Sequence, residues 1–252
     1  MTQPRATPVI AVLGAESTGK TTLCEALAER FSTLQGFTVA DVGLVGENLR
    51  HFCDRVGRTP TQEEQQGIAD EQSRRISEAA KQHRVVIADT TSVMTAVYSV
   101  FVFGDRDLHP LATATHRSQV AVTLVTALDL PWIADGHQRD GPHVREPVDR
   151  LLRATLRDAG IEYAVVGGEG RPRLDAAWRA LGPLRRAAGW QERGAAGAPG
   201  GVSLADGPSG DETSAEPSTP ARRWRAWCEC CADPAAEAEG LRSRRPRPPP
   251  PR

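Results

Sequence analysis

Lysine is almost missing from this chain. Of 31 lysine and arginine residues in 252, only Lys20 and Lys81 are lysine. Charge of one sign is missing too: 32 acidic residues bring the net charge to -1. No basic excess argues for a nucleic-acid partner, and none is expected. Cysteine occurs five times, with Cys24 and Cys53 far from Cys228, Cys230 and Cys231, too few and too uneven for a disulfide framework. The C-x-x-C spacing of Cys228 and Cys231 has no second pair at zinc-site distance. The isolated His109 and His116 have none either and read as surface residues. No run of about 18 apolar residues could span a membrane. The polar Met1–Thr7 stretch shows no apolar signal segment, so a cytoplasmic location without membrane contact is the expectation.

Against this background one of the two lysines stands in a motif. Gly14-Ala15-Glu16-Ser17-Thr18-Gly19-Lys20-Thr21 fits G-x-x-x-x-G-K-[ST], the phosphate-binding P-loop. Both flanks suit it. Val9 to Leu13 is an apolar, β-branched run that reads as a buried strand, and Leu23, Ala26, Leu27 and Phe31 share one face of a helix. In such a loop the backbone N–H groups form an anion nest, and the helix start adds open donors and the positive dipole end. Gly14 to Thr22 is therefore the candidate nucleotide-binding segment: Gly14, Ala15, Glu16, Ser17, Thr18, Gly19, Lys20, Thr21 and Thr22. Lys20 would reach the β- and γ-phosphates, and the Thr21 hydroxyl would ligate Mg²⁺. No N-K-x-D guanine reader is present, which favours ATP as the nucleotide.

Strand and helix patterns alternate through residue 188. Phe37–Val42 reads as a second strand, leading into a helix bordered by Gly43 to Arg50. Thr59, Pro60 and Gln62 signal a helix start, with that helix running to about His83 as an exposed element or one side of a cleft. Arg84 to Asp89, Val120 to Val125 and Ile161 to Val166 read as further strands. Helices are expected from Val93, from Val144 to Ala159, and around Leu174 to Leu181. The expected fold is an α/β P-loop NTPase: a doubly wound parallel sheet of about five strands flanked by helices. Residues 1–188 form the expected nucleotide-binding, kinase-like domain. Residues 189–252, rich in Gly, Ala, Pro and Arg, are the expected low-complexity, largely disordered tail.

Three polar stretches are candidates for chemistry. Asp89 ends a buried strand, where an acid in P-loop proteins holds Mg²⁺ beside the P-loop hydroxyl; it could equally cap the following helix. Glu47 and Arg50, three apart, share a helix face, and spacing alone suits a surface ion pair. The segment from Asp129 to Arg145 is either a charged surface loop or one that closes over a triphosphate. Cys24 and Cys53 sit on apolar or mixed helical stretches and read as buried structural thiols.

Taken together, these elements resemble the ribosylnicotinamide kinase domain of the NAD-biosynthesis protein NadR and related NadR-like P-loop ATPases. The resemblance covers most of residues 8–185 and rests on four elements in order. These are the Gly14–Thr22 loop with Glu16 in its third place, Glu47-Asn48-Leu49-Arg50, Ala88-Asp89-Thr90-Thr91, and Trp132-Ile133-Ala134-Asp135-Gly136. It implies ATP and Mg²⁺ as cofactors and a ribosylated pyridine nucleoside, nicotinamide riboside, as phosphate acceptor. It implies acceptor-side roles for Glu47, Arg50 and Asp135, and catalytic roles for Lys20, Asp89 and Arg139, the last on a mobile basic segment. Thr91 stands where the family often has a second acid, and Arg139 lies one residue later than the family's arginine. The expected activity is an ATP-dependent small-molecule kinase; the alternative is a P-loop ATPase acting as a regulator, with water as its only acceptor.

Overall fold

The computed structural model describes residues 6–132 and 142–193. Asp135, Arg139, the cysteines Cys228, Cys230 and Cys231, and all but the first few residues of the expected tail lie outside them. The segment Val9–Leu13 is β1, Val42–Val45 β2, Val85–Asp89 β3, Val120–Thr126 β4 and Ala164–Val166 β5. The helices are α1 (Lys20–Ser32), α2 (Asn48–Val56), α3 (Gln65–Gln82), α4 (Ser92–Phe103), α5 (Leu108–Gln119), α6 (Arg145–Asp158), α7 (Gly170–Ala180) and α8 (Gly182–Ala188). The strands form one sheet of order β2-β3-β1-β4-β5, with every pairing parallel. This is the doubly wound α/β architecture that the alternating pattern predicts.

The sheet is sandwiched because β1 is apolar at every position and β3 is apolar up to its terminal Asp89. All five residues of β1 and all five of β3 are buried, as expected for a parallel strand covered on both faces. Alternation then sorts the side chains. Ile10 and Val12 join Leu27, Phe31 and Trp178 in the layer under α1 and α7. Ala11 and Leu13 join Met94, Val97, Leu152 and Leu156 in the layer under α4 and α6. The chain's order reverses between β1 and β4, so a crevice opens beyond their C-terminal ends, where open α/β sheets bind ligands. Among the described residues no helix is long and apolar enough to cross a membrane.

Several sequence expectations need correction. The second strand starts at Val42 rather than Phe37. Asp41 Oδ2 accepts from both the backbone N–H (2.8 Å) and the hydroxyl (2.7 Å) of Thr38, and this capping box winds Val39–Asp41 into a 3₁₀ turn. The third helix starts at Gln65, not near Pro60. Arg58 pairs with Glu64 and holds its carboxyl down at about 2, while Glu64 also accepts from Thr61 N. That carboxylate closes a turn ahead of the helix. Helix α5 was not foreseen, and it buries His116, which is 1% exposed rather than a surface residue. Trp190 stacks edge-on against Phe31 and Phe37. Arg193 donates to the carbonyls of Ser32, Thr33, Leu34 and Phe37. The contacts of the folded unit therefore reach at least to Arg193.

Candidate active site

The P-loop is shaped by what surrounds it. Gly14 leaves β1 at φ 152°, and a Cβ there would lie 2.0 Å from the Thr126 hydroxyl at the end of β4. Only glycine lets the loop pass so close to its neighbour strand. That hydroxyl donates to Thr18 Oγ1 (2.7 Å), and Thr18 in turn donates to the Ala15 carbonyl (2.8 Å). Ser17 and Gly19 are left-handed, with φ 53° and 71°, which turns successive N–H groups inward as an anion nest. Gly19 is the N-cap of α1, no side chain caps that helix, and its first turn holds no acid. Its leading donors and dipole end are thus left for an anion. Lys20 folds its ammonium back onto the Ala15 carbonyl at 2.9 Å and is buried with the loop.

Thr21 and Asp89, 68 positions apart, meet here: the Thr21 hydroxyl donates to Asp89 Oδ2 at 2.5 Å. Asp89 is 3% exposed, and its other oxygen, Oδ1, has no hydrogen-bond partner among the described residues. An orphaned buried carboxylate oxygen beside a P-loop hydroxyl fits Mg²⁺, which takes one or two protein oxygens and completes its shell with phosphate and water. The helix-cap alternative for Asp89 is not realised, because the Thr91 side chain caps α4 by accepting from Val93 N at 3.4 Å. His116 backs this cap, with Nδ1 at 3.0 Å from Thr91 Oγ1 and Nε2 at 2.8 Å from Thr123 Oγ1. Burial pushes its pKa down to about 4, so the imidazole is neutral at physiological pH. Below the site, burial first and Asp89 second raise the pKa of the buried Cys24 thiol. Cys24 and Cys53 are both buried and free, as their helical settings predict.

A cavity of about 430 Å³ opens from the P-loop toward α2 and α4. Its walls include Ser17, Lys20 and Thr21 on one side, Glu47, Arg50 and Gln65 on another, and the apolar Leu49, Tyr98, Val102 and Phe103. Glu47 and Arg50 do form the ion pair that their spacing suggests, Arg50 Nε lying 3.9 Å from Glu47 Oε2. The pair faces this cavity, and only 14% of the Glu47 side chain is exposed.

Arg173 is a site residue that sequence reasoning missed. It donates from Nη1 to the Thr18 carbonyl and from Nη2 to Asp129 Oδ1 at 2.8 Å, while Asp129 Oδ2 accepts from Gly168 N. A Cβ on Gly19 would meet this guanidinium at 2.9 Å. The buried arginine thus props the P-loop from behind. It stands in a glycine-rich run after β5 whose composition says only "turn", and nothing in its spacing ties it to residue 18. On the same side a wider cleft of about 1200 Å³ lies between α1 and α7, bordered by Thr22, Ala26, Leu130, Glu169, Leu174 and Trp178. Arg145, at the start of α6, is buried, and its Nε and Nη2 find no hydrogen-bond partner among the described residues.

Solved structures share this fold. The structure of NadR protein in complex with NR superposes with a TM-score of 0.56 at 20% identity, covering 70% of this chain and 50% of that one. NadR in complex with NAD and AMP-PNP gives 0.57 at 20% identity, covering 73% and 50%. The chain spans about half the length of the NadR chains it matches. No curated protein matches the sequence. The family model described as an AAA domain (AAA_28) matches residues 9–173. That match runs from the first strand through the P-loop to the arginine that props it, and the chain belongs to this AAA-domain family.

Proposed function

We propose that the protein is an ATP-dependent phosphotransferase that moves the γ-phosphoryl group of ATP to a hydroxyl of a small nucleoside-type acceptor, with nicotinamide riboside as the leading candidate. One observation carries the reading. The cavity that opens directly off Lys20 and Thr21 has about 430 Å³ and mixed polar and aromatic walls. A switch that only hydrolyses needs room for a water; this space fits a nucleoside-sized molecule. The NadR structures of the same fold hold NR in one case and NAD with AMP-PNP in the other.

The roles follow from the chemistry of the groups. The nest at Gly14–Gly19 and the open start of α1 bind the phosphates, and Lys20 exchanges its Ala15 carbonyl for the phosphate charge. Thr21 and Asp89 would hold Mg²⁺, which neutralises charge on the transferring phosphoryl group when bound. Glu47 and Arg50 bind acceptor hydroxyls, and Tyr98 and Phe103 flank its ring. Asp135 and Arg139 keep the acceptor and lid roles that the family resemblance implies. Catalysis is then positioning plus charge stabilisation, with little covalent work for the protein.

The test is ADP release from ATP with Mg²⁺, with and without nicotinamide riboside, in the native protein and Lys20→Ala. Stimulation by the riboside that vanishes in the variant is expected. Lys20-dependent turnover that ignores the riboside and a panel of other nucleosides would instead establish the regulatory ATPase.

A further inference from the structure

Helix α3 carries a buried amide where its pattern calls for an apolar side chain. Ile68, Gln72 and Ile76 stand at four-residue intervals on one buried face, and Gln72 is only 2% exposed. Burying an amide among aliphatic neighbours is unfavourable unless both ends are bonded. Here both are. Its Oε1 accepts from the Asn48 N–H at 2.7 Å, and its Nε2 donates to the Thr90 carbonyl at 3.3 Å. Asn48 is the first residue of α2 and follows Glu47 directly. Thr90 follows Asp89 directly. The two ends of one side chain therefore grip the acceptor-side wall and the metal-side strand end. Asn48 secures the same junction by donating from Nδ2 to the Ile68 carbonyl at 3.1 Å.

The grip on Thr90 matters because its backbone is not relaxed. Thr90 has φ 71°, a left-handed conformation that a β-branched residue avoids unless its surroundings impose it. Its N–H extends the ladder to the Val12 carbonyl at 3.1 Å. With the N–H held by β1 and the carbonyl by Gln72, the turn is fixed at both sides of the strained residue. Asp89, one residue earlier, is thereby aimed at Thr21.

We propose that Gln72 is a positioning residue of the phosphotransfer site, one whose amide holds the wall beginning at Glu47 in register with the strand end that carries Asp89. The inference rests on the phosphotransferase reading for its kinetic consequence, but the clamp has a signature of its own. Gln72→Met removes both bonds at similar volume, and Gln72→Glu keeps only the one to Asn48. With ATP, Mg²⁺ and nicotinamide riboside, Gln72→Met lowers kcat about 10- to 100-fold, the cost of misplacing reacting groups. It raises KM for the riboside more than KM for ATP, because no bond of Gln72 reaches the P-loop directly. Ile76→Val, on the same buried face, is the packing control and keeps native kcat. Replacing Thr90 with glycine relieves the strained conformation, so Gln72→Met/Thr90→Gly regains a large part of the lost kcat. Packing loss alone would not be rescued this way.

Hydrogen exchange reads the clamp without turnover. In Gln72→Met, peptides over 47–51 and 89–92 lose protection together, and the peptide over 14–22 does not. Should Gln72→Met fail to fold, Gln72→Glu gives the same test with exchange loss confined to 89–92. A native protein that ignores the riboside overturns the phosphotransferase reading alone, and exchange still decides the clamp. Native kcat in Gln72→Met, unchanged exchange over 47–51 or 89–92 in that variant, or unchanged exchange over 89–92 in Gln72→Glu overturns the proposal.

Discussion

Two cavities flank the start of α1, and different contacts hold them. The one toward α2 and α4 holds about 430 Å³ and mixes an acid, an arginine and aromatic side chains around the P-loop. The cleft toward α7 is wider, about 1200 Å³, and is bordered by Leu130, Leu174 and Trp178, with Arg173 at its floor. Gly19 and Thr22 belong to both. The smaller cavity depends on side chains that reach across elements: Thr21 to Asp89, Gln72 to Asn48 and Thr90, His116 to Thr91. The cleft is held by arginines instead: Arg173 bonds Thr18 and Asp129, and Arg30 of α1 pairs with Asp175 of α7. The proposed acceptor enters the first; the second meets the same P-loop edge at Gly19 and Thr22, where the nucleoside part of a bound ATP would extend. Substitutions should therefore separate by side.

The largest effect should come where the two sides meet. Lys20→Ala is expected to lower kcat by about 10²–10³-fold, the loss typical of removing one preorganised charge stabiliser, with a thermal melt close to native. A melt that collapses instead would give Lys20 a structural role. The next largest separates the sides by pH. Burial lowers the His116 pKa from 6.5 to about 4. The unfolded chain therefore binds the proton first, and stability present above about pH 6.5 is lost as pH falls toward 4. This one group accounts for at most about 3 kcal/mol, measurable by urea denaturation across that window. Because His116 backs the cap of α4, acid should expose the smaller cavity's side first. A uniform loss across both sides, followed by hydrogen exchange, would break the contrast.

Arg173→Met should cost about 2 kcal/mol, the scale of a buried charge-assisted bond. It should raise KM for ATP while leaving KM for the acceptor unchanged. Glu47→Gln should do the reverse at smaller scale, raising KM for the riboside about tenfold, or about 1.4 kcal/mol, with ATP binding native. If both variants move the same constant, the assignment of the two cavities fails.

The contrast also explains what could be read from the sequence. The P-loop was legible because its chemistry is local: a strand, a glycine turn and a helix start follow one another within a few residues. The sheet was legible because β1 and all of β3 before Asp89 are apolar, which fixes their place between two helical layers. Asp89 could be flagged as a strand-end acid, yet only the structure shows that Thr91, not Asp89, caps the following helix. Arg173 and Gln72 were illegible. Each acts on a residue far along the chain through a backbone carbonyl or N–H, which leaves no trace in residue type or spacing. His116 was misread because its helix, α5, is short of apolar residues; its two threonine partners, not hydrophobic neighbours, make its burial tolerable.

The central claim is that the smaller cavity receives a phosphate acceptor. ATP labelled at the γ-phosphate, incubated with the protein, Mg²⁺ and nicotinamide riboside, tests it directly. The account predicts label in a phosphorylated riboside for the native chain and about 10²–10³-fold slower labelling for Lys20→Ala. Label found only in inorganic phosphate, at an unchanged rate whatever nucleoside is supplied, would contradict it.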